Sequence, residues 1–72
     1  MPKARQTFGV LCDTGFLIRL GHPDDPLHAN ARAYLKYLLT ENYSMFASTI
    51  ALAEYAVRDP IENLPMRYFR VL

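Results

Sequence analysis

Apolar residues come in short blocks whose spacing changes along the chain. FGVLC, residues 8–12, is uninterrupted, which predicts a short strand of the kind buried on both faces of a parallel sheet, closed by Asp13. In TGFLIRL, residues 14–20, Phe16, Leu17 and Leu20 fall at i, i+1 and i+4; this predicts one short helix, stopped by Gly21 and Pro23. GHPDDPLH is a loop by composition. From Leu27 to Glu41 the period is helical. Leu27, Ala31, Tyr34, Leu35 and Leu38 share an arc of about 100°, opposite Arg32, Lys36 and Thr40. Asn42 stops this helix, and residues 43–47 predict a second strand. Ser48 or Thr49 then caps a helix over 49–59 that Pro60 ends. IENLP reads as a connection, and MRYFRVL, residues 66–72, as a third strand.

Strand, helix, helix, strand, helix, strand is an alternating order. It predicts an α/β fold with three short parallel strands, right-handed crossovers and flanking helices. A composition that is 51% hydrophobic with a net charge of +1 fits a chain that builds a core. The expected organisation is one domain from residue 8 onward, preceded by a polar, basic and flexible segment, residues 1–7. Cys12 has no second cysteine to pair with, and the residues before Asp13 lack the apolar core of a signal peptide. No apolar run reaches membrane-spanning length, so the expectation is a cytoplasmic protein with no membrane partner. The near-neutral charge gives no bulk argument for nucleic-acid binding.

Candidate chemistry follows from the element order. Ligands of open parallel sheets bind outside the carboxyl ends of the strands, and Asp13 closes the first strand there. Glu54 lies on the second turn of the helix leaving the second strand, so it starts from the same edge. Two carboxylates that converge repel unless a cation lies between them. Mg²⁺ suits such a pair, because it prefers hard oxygen ligands and often takes only one or two carboxylates besides water and phosphate. The chemistry would be metal-assisted phosphodiester hydrolysis. Simpler roles compete: Asp13 as a helix N-cap, and Glu54 as half of an exposed Glu54–Arg58 pair. His22, Asp24, Asp25 and His28 are close in sequence, but HPDDPLH is not a zinc spacing. Cys12 reads as a structural thiol, and Tyr34 as core lining rather than a platform for bases.

VLCDTGFLIRL, DPLHANARAYLKYLL and ASTIALAEYAV, taken in that order, resemble the N-terminal half of a PIN domain, as found in toxins of the VapC type. The shared features are an apolar strand ending in D-T-G, a His-containing loop entering an alanine-rich helix, and an S-T-I-x-L-A-E helix. The resemblance implies a three-layer α/β/α fold. It also implies a Mg²⁺- or Mn²⁺-dependent ribonuclease, the toxin component of a toxin–antitoxin system, acting on single-stranded or structured RNA and blocked by a cognate antitoxin. By it Asp13 and Glu54 are the catalytic, metal-binding carboxylates, with Thr14 and Ser48 in support. In the family, further acids come from a C-terminal half, so residues 8–72 are expected to be a truncated PIN-like domain whose first strand is an exposed edge. The alternative is a non-catalytic remnant or binding module that contacts an antitoxin or another PIN subunit, a homodimer included.

Overall fold

The computed structural model describes residues 9–72. The predicted flexible segment 1–7 and Phe8 lie outside the described residues. The elements are β1 (Gly9–Cys12), α1 (Thr14–Gly21), α2 (His28–Thr40), β2 (Ser44–Ala47), α3 (Thr49–Arg58) and β3 (Phe69–Val71). The three strands are parallel in the order β1-β2-β3, as an alternating α/β chain requires.

Local chemistry sets most boundaries. Asp13 caps α1 through its side chain, and Ser48, rather than Thr49, caps α3. Thr49 instead donates its hydroxyl and its N–H to the Leu72 carbonyl, while Leu72 N–H donates to Ala47 O at 2.9 Å. These bonds fasten the end of the third strand beside the start of α3. α2 stops at Asn42, whose φ of 63° is the left-handed conformation that asparagine tolerates. Tyr43 N–H then reaches Leu38 O at 2.9 Å and Asn42 N–H reaches Leu39 O at 3.2 Å, the paired bonds of a Schellman ending.

Two expectations change. The predicted third strand covers only Phe69–Val71, because Met66–Tyr68 form a 3₁₀ turn. Met66 N–H is bonded to Leu64 O and Tyr68 N–H to Pro65 O, so these donors serve a turn and not the ladder. β1, predicted as buried on both faces, is buried on one. The register aligns Val10 with Met45 and Phe69, and Cys12 with Ala47 and Val71. Cys12, Met45, Ala47 and Phe69 share one core with Leu17, Leu20, Ala31, Leu38, Ala51, Leu52, Tyr55 and Leu64. On the opposite face Leu11 is 64% exposed and Arg70 is exposed. Both crossovers step in the same direction along the sheet, so connections of one hand fall on the same face and leave the other open.

At the α1–α3 contact the helices approach closely. Gly21 ends α1 against the fully buried Tyr55, and a Cβ added at Gly21 would collide with the Tyr55 hydroxyl oxygen and sit 3.3 Å from Leu64 Cδ2. Burial, followed by the charge of Asp59, pushes the Tyr55 phenol pKa up. A neutral ring with its hydroxyl end against glycine therefore joins the two helices. Gly21→Ala is expected to destabilise the chain by about 1–3 kcal/mol, the usual cost of overpacking a core, measured as a lowered urea midpoint. An unchanged midpoint would show that the contact yields freely.

Candidate functional site

The strand register brings the predicted residues together. Cys12 is aligned with Ala47, so the next residues, Asp13 and Ser48, leave neighbouring strands side by side. Each starts a helix. Asp13 Oδ1 accepts from Phe16 N–H at 2.9 Å, and Ser48 Oγ accepts from Ala51 N–H at 3.0 Å. Two helix N-termini thus stand together at the carboxyl edge, where their dipoles favour negative charge. Glu54, on the second turn of α3, accepts from the Thr14 hydroxyl at 2.8 Å, a bond between residues 40 apart in sequence. Asp13, Thr14, Ser48 and Glu54 all line one open hollow of about 260 Å³, with Leu11 and Ile50 also in its wall.

Asp13 is therefore an N-cap and a wall of the hollow at once. Its capping bond uses one oxygen and leaves Oδ2 without a protein partner among the described residues. Glu54 likewise engages Oε1 and keeps Oε2 open. The Glu54–Arg58 pair is not formed; between described residues the ion pair present is His22–Asp59 at 3.1 Å. The donor set fits a hard divalent cation, since it offers two partly free carboxylates and two hydroxyls. The neighbouring Cys12 does not alter that character. Burial first, and then the Asp13 charge, push its thiol up to about 11, so no thiolate stands beside the carboxylates at neutral pH.

The loop residues near α2 are not gathered. His22 pairs with Asp59, Asp25 Oδ1 accepts Leu27 N–H at 2.8 Å, and His28 Nδ1 donates to Arg19 O at 2.9 Å. Among the described residues no group of three or more His, Cys, Asp or Glu side chains is placed to hold a metal. Sequence reading missed that Leu11 and Ile50 expose apolar surface at the hollow, and that Thr14 acts by holding Glu54. Tyr34, expected to line the core, is 47% exposed, because Ala31 and Leu38 carry the buried stripe of α2.

No family model matches the sequence, and searches of curated proteins and of solved structures give no significant match. No helix among the described residues is long and apolar enough to cross a membrane.

The Cys12 environment sets a pH dependence. The unfolded thiol ionises near 9.0 and the folded one near 11, so between these values the unfolded chain binds fewer protons and stability falls as pH rises. At pH 8.5, iodoacetamide is expected to alkylate the folded chain about two orders of magnitude more slowly than the urea-unfolded chain. Equal rates would mean that the thiol is neither buried nor shifted.

Proposed function

We propose that this chain is a PIN-type, metal-dependent ribonuclease of the toxin class, using Asp13 and Glu54 to bind Mg²⁺ or Mn²⁺ and hydrolyse RNA phosphodiester bonds. The observation that carries the reading is the Thr14–Glu54 hydrogen bond. It ties the start of α1 to the second turn of α3, so that carboxylates from two helices face one hollow at the edge where parallel sheets bind ligands. The ion would be held by Asp13 and Glu54, and when bound it supplies phosphate polarisation and an acidified water. The chain's own groups prepare the rest. Phe16 N–H fixes the Asp13 carboxylate, Thr14 fixes Glu54, and the paired N-termini of α1 and α3 favour a phosphate close by. In the PIN arrangement a second helical layer covers the sheet face that Leu11 leaves open here. On this reading the protein acts in the cytoplasm, on RNA, under the control of an antitoxin.

A second reading is a binding module that contacts an antitoxin or another PIN subunit without turnover. It is favoured by the apolar rim of the hollow, where Leu11 is 64% and Ile50 73% exposed beside the two acids.

Incubation of the purified chain with single-stranded RNA separates the two. The ribonuclease reading expects cleavage in Mg²⁺ or Mn²⁺, none in EDTA, and a loss of about a hundredfold or more in Asp13→Asn and in Glu54→Gln. Cleavage that persists in EDTA or in both variants would sink it. A folded chain that cleaves nothing in either metal but binds an antitoxin or a second subunit would establish the module.

A further inference from the structure

Four aromatic rings run in a row across α1, α2 and Tyr43, the residue before β2. Phe16 and Tyr34 meet edge to face at 5.8 Å and 85°, Tyr34 and Tyr37 stack at 6.3 Å and 16°, and Tyr37 and Tyr43 tilt together at 6.2 Å. The middle of this row is not core: Tyr34 and Tyr37 are 47% and 51% exposed. Burying such rings is worth a great deal, so two stacked tyrosines kept on the surface call for a reason. Beside the Phe16–Tyr34 contact lies a hollow of about 220 Å³, also lined by Arg19, Leu27 and Asn30. Arg19, on the wall of this hollow, is the cation beside the row, whereas Arg32 and Lys36 line a different hollow on the other side of α2 and Glu41 lies near Tyr37. The first ring of the row belongs to the residue whose backbone amide Asp13 holds, so the row and the candidate site share the first turn of α1.

We propose that this row is a binding track for single-stranded RNA, with successive bases stacked on Tyr34 and Tyr37 and one base edge received in the hollow beside Phe16. Exposed aromatic faces beside a cation, here Arg19, are the chemistry of single-strand recognition, since every base has a face to stack. Asn30 contributes an amide able to pair with a base edge, and Arg19 a guanidinium for the adjoining phosphate. Duplex RNA is excluded, because its bases are already stacked on one another and its major groove is too narrow for side chains. Starting from Phe16, the track leads a strand toward Asp13 and Glu54. The choice of RNA rests on the ribonuclease reading, whereas the stacking surface and its charge do not.

Fluorescence anisotropy with a labelled RNA of about ten nucleotides, a length that spans several stacked bases, tests this in EDTA, where no hydrolysis occurs. The wild-type chain is expected to bind. Tyr34→Ala and Tyr37→Ala should each weaken binding about tenfold, while Tyr34→Phe and Tyr37→Phe keep most of it, since stacking needs the ring and not the hydroxyl. Both positions are exposed on a helix, and circular dichroism verifies that the variants fold. Ring-dependent binding without cleavage in any metal would overturn the ribonuclease reading and leave the track standing. Alanine variants that bind like wild type, an RNA duplex that competes equally, or no binding by wild type would each overturn the track.

Discussion

The alignment of Cys12 with Ala47 across β1 and β2 is the constraint on which the rest depends. Side chains alternate between the faces of a strand, so a slip of one residue would move Met45 and Ala47 from the core to the open face and bring Phe46 inward. Met45 and Ala47 are essentially inaccessible to solvent, and such a slip would forfeit their burial. Hydrophobic packing thus enforces the register, and the register in turn places Asp13 beside Ser48. Once those two caps are neighbours, α1 and α3 start together and Glu54 comes within reach of Thr14. The candidate site is in this sense a by-product of core packing one residue upstream.

The same constraint explains which features could be read from sequence. Features governed by local chemistry were legible: the Asp13 and Ser48 caps, the left-handed Asn42 that ends α2, the stop at Pro60 and the alternation that forces parallel strands. Asp13 and Glu54 could be nominated because strand polarity alone says which end of each element meets ligand. The edge position of β1 was legible too, and the order β1-β2-β3 bears it out, but the face that the connections leave open was not. FGVLC looks equally apolar whether one face or both are covered, and only the β1-β2-β3 order leaves Leu11 in solvent. Tyr34 lies within the apolar arc of α2, but the arc is wider than the contact, and Ala31 and Leu38 fill it. The third strand was overextended because Met66–Tyr68 carry strand-forming residues while Pro65 and the Leu64 carbonyl hold them in a turn. The bond from Thr14 to Glu54 leaves no local trace, since it joins residues 40 apart.

Charge placement gives the two ends of the helical layer different characters. At the carboxyl edge, helix N-termini meet two carboxylates, each with one oxygen engaged and one open. At the other end, α1 finishes at His22 and α3 at Asp59, and the two capping residues pair with each other at 3.1 Å. The His22–Asp59 pair and the Gly21–Tyr55 contact therefore fasten α1 to α3 at the end remote from Asp13 and Glu54.

Fastening at that end is what allows the carboxyl edge to stay open. A site built at exposed helix starts would fray if nothing else held the helices, because a single hydrogen bond to a carboxylate, such as Thr14–Glu54, contributes only about 1.5–3 kcal/mol. Here the packing of Tyr55 on Gly21 and the buried Leu17 fix the helices from behind, while the bonds from Thr49 to the Leu72 carbonyl hold the end of the sheet at the carboxyl edge itself. The Thr14–Glu54 bond then has to orient one carboxylate and need not hold the fold. Orientation without burial is what a hard-cation site requires: carboxylates restrained by one oxygen each, accessible through the other, on elements whose positions are set elsewhere.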